Sequence, residues 1–283
     1  MTTQATVEKY WKDGSARGDV LADFLRREVG ELRDRRVLDL GCASGGIAMA
    51  LAEHAASVVG MDLSLPEVHR AGERSRGQTT KVPAFLAAGA LHTPFREGSF
   101  EFVLLIGVLE YMGRADPGLR PRDAQLRCLQ EVLRILNPGG SVIVAIENRW
   151  FPPCLLRSPH QGVPGGLLLP HAIAPRIARI WHSEPMWDMI HGYWGLGRLL
   201  REAGFGRTSG FLPVYGYQFP KAIVRADDRA GLWRLASRNS RDASTGYDEL
   251  TTGGRWGPLW FRAITGLGLQ KLLAPALLLT ATK

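Results

Sequence analysis

Ten residues constrain this chain more than any others: Val37-Leu38-Asp39-Leu40-Gly41-Cys42-Ala43-Ser44-Gly45-Gly46. A short apolar run enters a turn of glycines and small residues. Ile47, Ala50, Leu51 and His54 then recur at helical spacing. The run Val37–Leu40 fits a strand buried on both faces of a parallel sheet. Small residues in the turn let a ligand approach the backbone where a helix begins. A second run, Ala56–Met61, ends at Asp62, twenty-one residues after Gly41. A carboxylate at that strand end can accept two hydrogen bonds from a ribose diol.

The alternation continues downstream. Ser64-Leu65-Pro66-Glu67 reads as a helix start with Ser64 as the cap. Val82–Ala87 is a third strand, and Phe100–Ile106 is a fourth with a near-continuous apolar run. Leu126, Leu129, Leu133 and Leu136 mark an amphipathic helix, which Asn137-Pro138-Gly139-Gly140 stops. Ser141–Ile146 is a fifth strand. Such an order predicts an α/β fold, a parallel sheet with helices on both faces. After Trp150 the rhythm breaks into a segment rich in Pro, Gly, Trp and His. Leu196, Leu199, Leu200 and Ala203 form one more helical face, closed by Gly204. Thr208–Val214 and Pro275–Thr282 read as further strands.

Two kinds of ligand suit the first loop: a nicotinamide or flavin dinucleotide, and S-adenosylmethionine. The dinucleotide pattern G-x-G-x-x-G needs glycine where this chain has Ala43, and it does not require the acid Asp39. Further motifs separate the two. Asp39-x-Gly41-x-Ala43-x-Gly45, Asp62-Leu63-Ser64, Leu91-His92-Thr93-Pro94-Phe95 with Ser99-Phe100, and Leu133 to Leu136-Asn137-Pro138-Gly139-Gly140 together resemble class I S-adenosylmethionine-dependent methyltransferases. The resemblance covers residues 36–147 well, and 193–220 and 270–283 more loosely.

The resemblance implies a Rossmann-like seven-stranded, mainly parallel sheet flanked by helices, with an inserted lid. It implies S-adenosyl-L-methionine as cofactor and S-adenosyl-L-homocysteine as product, with no metal. By position, Gly41, Ala43, Ser44 and Gly45 with Asp39 form the loop under the methionine part. Asp62 takes the ribose and Leu63 packs on the adenine. Gly89, Ala90 and Leu91 meet the adenine edge, and Ile106 and Gly107, followed by Val108, lie beside the sulfonium. Two departures stand out. A methyl at Ala43 is tolerable if its φ is negative. Gly89 stands where many relatives have Asp, which removes one adenine hydrogen bond worth roughly 1 kcal/mol.

A narrower resemblance rests on Ala145-Ile146-Glu147-Asn148-Arg149, Leu199 to Phe205, and Pro213 with Tyr217-x-Phe219-Pro220. It is to a bacterial subgroup often found near sugar, cell-envelope or secondary-metabolite genes. It implies methylation of N or O on a bulky small molecule, in antibiotic-type biosynthesis. Methylation of carbon, RNA or protein methylation, a dehydrogenase and a catalytically inactive cofactor-binding partner subunit remain open alternatives.

Composition bears on the acceptor. The 283 residues, 45% hydrophobic and 22% charged, exclude wholesale disorder. The net charge of +8 comes from 29 scattered Arg and six Lys, without the basic patch that would predict a nucleic-acid partner. No Asn-Pro-Pro-Tyr-type motif follows the fourth strand. Three cysteines, Cys42, Cys128 and Cys154, lack metal or disulfide spacing, so buried free thiols in a cytoplasmic monomer or homodimer are expected. The N-terminus lacks a signal core, and no stretch suffices for a membrane span.

One domain, 1–283, is expected. It carries an N-terminal helical cap at 1–35 and substrate-covering insertions at 151–192 and 226–268. Substrate-binding candidates are Tyr10, Trp11, Tyr111, Asn148, Arg149, Trp187 and Trp194. The other His and Trp of the first insertion, His160 and His171 among them, are available as lid residues. The insert histidines, 11, 11 and 9 residues apart, do not form a compact zinc pattern. Catalytic candidates are His191, His182, Glu147 and Glu110. A His could remove a proton from the nucleophile, and a carboxylate could orient an amine or accept its proton.

Overall fold

A computed structural model describes residues 4–76, 81–156, 160, 165, 167–168, 188–218, 220–238 and 257–283; of residues 4–13 it describes the helical backbone only. An eight-stranded sheet runs β3-β2-β1-β4-β5-β8-β6-β7. Its members are β1 (Arg36–Leu40), β2 (Ser57–Asp62), β3 (Ala84–Ala87), β4 (Phe100–Ile106), β5 (Leu136–Glu147), β6 (Thr208–Pro213), β7 (Ile223–Arg225) and β8 (Ala276–Thr282). β1 to β5 pair in parallel, as their apolar runs predict. β8 is antiparallel to both β5 and β6, and β7 is antiparallel to β6. The edge strand β7 adds an eighth member to the expected seven. It is three residues long, too short to carry a periodic signal.

Helices α1 (Gln4–Glu28) and α2 (Gly46–Ala52) cover one face, where Leu21, Phe24, Leu25, Ile47 and Leu51 pack on Val37, Leu104 and Phe211. The other face carries α4 (Pro121–Ile135), α6 (Tyr193–Glu202), α7 (Arg229–Arg238) and α8 (Gly257–Gly266). The remaining helices are α3 (Leu65–Ser75), α5 (Pro152–Leu156) and α9 (Gln270–Leu273). α1 sits close on α2 because Gly14 and Gly18 face it. A Cβ at Gly14 would lie 3.3 Å from Gly46 Cα, and one at Gly18 3.2 Å from Ile47 Cα.

Two local expectations change. Asn137-Pro138-Gly139-Gly140 does not interrupt the chain between helix and strand; α4 ends at Ile135, and β5 begins at Leu136 with a shifted register against Phe100 and Phe102. Leu126 and Leu133 are only partly buried, and the buried stripe of α4 is Ala124, Gln125, Cys128, Leu129, Val132 and Ile135. Ser64 occupies the cap position of α3, but its hydroxyl makes no capping bond. Pro66 in the first turn, which has no N–H to leave unpaired, helps start that helix. Gly204, at φ +104°, ends α6 as expected. Cys42, Cys128 and Cys154 are buried free thiols. Among the described residues no helix is long and apolar enough to cross a membrane.

Strand order reverses between β1 and β4. In an open α/β sheet the crevice at that switch point, outside the carboxyl ends of the strands, is where ligands bind. Gly41 follows β1, Asp62 ends β2, and Gly107 follows β4.

Candidate functional site

A cavity of about 740 Å³ opens at this crevice. Leu40, Gly41 and Ala43 from the first loop line it. So do Met61, Asp62 and Leu63 from the β2 end, Ala88 and Ala90 after β3, and Ile106, Gly107 and Val108 after β4. Tyr111, Met112, Arg114 and Ala115 complete the wall with Tyr217, Gln218 and Arg17.

The loop's shape has a specific cause. Gly41 (φ +82°) and Gly45 (φ +84°) hold left-handed backbone, and a Cβ at Gly45 would stand 2.8 Å from the Phe85 ring. Ala43 also has positive φ, +45°, so the condition under which its methyl is tolerable without strain, a negative φ, is not met. An L-residue pays about 1–2 kcal/mol for that conformation. It aims the Ala43 N–H at Asp62 Oδ2, 2.9 Å away, while the Ser64 N–H donates to Oδ1 at 2.8 Å. These two bonds fix the Asp62 carboxylate on the cavity wall. Leu63 beside it is 69% exposed, a large apolar side chain left open at the cavity lip.

Asp39, Ser44 and Leu91 are buried and do not reach the wall, and neither do Gly45 and Gly89. Burial pushes the Asp39 carboxyl up to about 7, with Arg17 opposing and Asp62 reinforcing the shift. A carboxyl raised in the folded state gives its full stability below its ordinary pKa of 3.8, and that contribution is lost as pH rises through about 7. Asp39→Asn removes the titration. Its stability relative to the native chain is expected to improve by about 2–3 kcal/mol between pH 5 and pH 8. Urea denaturation at the two pH values checks this, and a constant difference contradicts it.

Behind the β4 side of the wall lies a polar cluster. Glu110 enters from the 3-10 turn Leu109–Arg114, Glu147 ends β5, and Tyr217 follows β6. The Tyr217 hydroxyl donates to Glu147 Oε1 at 2.9 Å and lies 3.4 Å from Glu110 Oε1. His160 Nε2 lies 3.3 Å from Glu147 Oε2 and 4.0 Å from Glu110 Oε1. His160 Nδ1 is 2.8 Å from the Tyr111 hydroxyl. Glu110 and Glu147 are sealed from solvent. Burial, then the Glu147 charge, raises Glu110 well above the usual carboxylate range. Burial pushes Glu147 up as well, but the His160 hydrogen bond and charge outweigh it and hold Glu147 low.

The other candidates lie elsewhere. His191 is buried, and its Nε2 is 2.7 Å from Gln125 Oε1. Gln125 Nε2 in turn donates to the carbonyls of Leu109 and Met189. This network ties the segment before α6 to α4. Asn148 donates to the Leu272 and Ala274 carbonyls and anchors the chain entering β8. Arg149 donates to the Leu167 carbonyl and lies over the Trp150 ring. Trp194 is 59% exposed on α6, away from the wall. His182, His171 and Trp187, and the side chains of Tyr10 and Trp11, lie outside the described residues.

Reading along the chain missed Arg17, Met61, Met112, Arg114 and Gln218 on the wall. It also left Tyr217 without a role. Arg17 had a usable signal: Gly14 and Gly18 flank it at helical spacing, which foretells a close helix approach that would carry it inward.

Comparison with known proteins accords with this geometry. Residues 38–144 match the methyltransferase domain family. A demethylmenaquinone methyltransferase of Lactococcus lactis is 32% identical over 41% of this chain and 44% of its own length. The O-methyltransferase rstn1 of Aspergillus nomiae is 28% identical over 48% and 60%, and methyltransferase GfsG of Streptomyces halstedii 33% over 48% of each. The matches thus span less than two thirds of these relatives. Among solved structures, a Haloferax volcanii putative methyltransferase in complex with the activator Trm112 shares the fold with TM-score 0.54 at 16% identity, covering 98% of this chain and 94% of that one. A possible histamine N-methyltransferase from Thermotoga maritima does so with TM-score 0.52, also at 16% identity and the same coverage.

Proposed function

With residues 38–144 forming a methyltransferase domain of the class I S-adenosylmethionine-dependent type, we propose that this chain moves a methyl group from S-adenosyl-L-methionine to an oxygen or nitrogen of a bulky small molecule. S-adenosyl-L-homocysteine is the second product. The observation that carries the reading is one continuous cavity whose lining runs from Asp62 on the β2 side to Tyr111 and Tyr217 on the β4 side.

The residues present suit the cofactor. Asp62, fixed by two backbone N–H groups, accepts from the ribose hydroxyls. The exposed Leu63 side chain gives the adenine an apolar face. Arg17 supplies positive charge for the methionine carboxylate. Once bound, the cofactor contributes an electrophilic methyl on a sulfonium.

What the chain adds is position. Transfer is an in-line displacement, so alignment of the nucleophile supplies much of the acceleration. Ile106, Gly107 and Val108 support the methyl end, and Met61, Met112 and Ile106 keep water away. Tyr111 and Tyr217 present their rings to the acceptor side of the wall, with their hydroxyls held by His160 and Glu147. Glu147 and Glu110 hold Tyr217 from behind and act as positioning residues. The cavity's mixture of apolar wall and few polar groups suits a small organic acceptor. Two relatives, a demethylmenaquinone methyltransferase and an O-methyltransferase, support that acceptor class. The narrower sequence resemblance favours bacterial secondary metabolism, the three cysteines without disulfide spacing favour the cytoplasm, and the chain acts as a monomer or homodimer.

The test uses cofactor carrying an isotopically labelled methyl, offered with a panel of phenols, quinols, amines and sugars, and separately with RNA and with protein. Label in a small molecule with release of S-adenosyl-L-homocysteine is expected. Label confined to RNA or protein overturns the acceptor class. Cofactor binding with no transfer to any acceptor favours the non-catalytic partner.

A further inference from the structure

We propose that Glu110, Glu147 and His160 bind one divalent transition-metal ion. Their donor atoms lie within 4.8 Å of one another. An ion 2.0–2.2 Å from each donor needs donor separations of roughly 3–4.2 Å. The two measured separations from His160 Nε2, 3.3 Å to Glu147 Oε2 and 4.0 Å to Glu110 Oε1, fall in that range.

Three further features support a cation. Glu110 is fully buried, and its Oε2 has no hydrogen-bond partner among the described residues. A buried carboxylate oxygen is costly unless it is paired or coordinates a metal. The charge also balances once an entering ion displaces the protons of Glu110 and His160, because two carboxylates and a neutral imidazole match a dication. Finally, the outer partners that ligands require are already in place. The Tyr217 hydroxyl donates to Glu147 Oε1, which leaves Oε2 turned toward His160. The Tyr111 hydroxyl meets His160 Nδ1, which turns Nε2 toward Glu147 Oε2.

One imidazole with two carboxylates suits a borderline ion such as Zn2+ or Co2+. This departs from the expectation of no metal. The insert histidines were judged by their mutual spacing, whereas these three donors come from the turn after β4, the end of β5 and the first insertion. The ion would lie behind the cavity wall, one side chain from Tyr111 and Tyr217. Its presence does not depend on the methyl acceptor.

The experiment titrates Zn2+ and Co2+ separately into chelator-stripped full-length protein by calorimetry. One equivalent is expected to bind to the native chain. His160→Ala and Glu147→Gln are each expected to weaken that event at least tenfold. Glu110→Gln keeps the side chain's volume and, like the carboxyl that burial holds above the usual carboxylate range, is neutral, so it folds and decides the matter if another variant does not. It too is expected to lose the event. No stoichiometric binding by the native chain, or an isotherm unchanged in Glu110→Gln, overturns the proposal; the latter outcome means that the ion sits on surface histidines or thiols.

Discussion

Gly107→Ala is expected to unfold about 6–12 °C below the native chain. Gly107 follows β4 at φ +69°, in the left-handed region. An L-residue there costs about 1–2 kcal/mol. A Cβ at this position would stand 2.7 Å from Tyr217 Cε2 and 2.8 Å from its hydroxyl oxygen. Tyr217 is held by Glu147 and buried, so it has little room to retreat. Overpacking of this kind adds about 1–3 kcal/mol. The sum is about 3 kcal/mol, or about 2–4 °C for each kcal/mol in a chain this long. Thermal unfolding followed by circular dichroism measures it. A midpoint within about 2 °C of the native value means that Tyr217 does not close on Gly107.

Asp62→Ala is expected to weaken S-adenosyl-L-homocysteine binding about a hundredfold. The carboxylate has two tasks. It faces the cavity at the end of β2, and it receives the N–H groups of Ala43 and Ser64. Truncation removes the acceptor for the ribose. It also releases Ala43 from a strained conformation that the Asp62 hydrogen bond rewards. Hydrogen bonds to a charged group contribute about 1.5–3 kcal/mol, and a hundredfold is about 2.7 kcal/mol. Calorimetry on both proteins gives the ratio, and equal affinities remove Asp62 from the site.

The central sheet was legible because parallel strands buried on both faces leave near-continuous apolar runs. Val37–Leu40 and Phe100–Ile106 carry that signal, and the strands they form pair in parallel. The cofactor side was legible for a related reason, since Gly41, Asp62 and Gly107 follow or end successive strands of the crevice. β7 was not legible, because Ile223–Arg225 is short and takes its place from pairing with β6. The Ala43 backbone angle was not legible, because it depends on a partner, here Asp62, that spacing does not reveal. The Glu110, Glu147, His160 and Tyr217 cluster is assembled from four distant stretches of chain. Glu110 and Glu147 stood out as residue types; that Tyr217 and His160 hold them together is a property of the tertiary fold. His191 stood out equally, and Gln125 occupies it.

The central claim is that the crevice at the β1/β4 switch point takes S-adenosyl-L-methionine. Titration of the native chain with S-adenosyl-L-homocysteine, and in parallel with NAD, tests it most directly. The account predicts saturable one-to-one binding of the first and none of the second. Absence of S-adenosyl-L-homocysteine binding, or binding of NAD in its place, contradicts it.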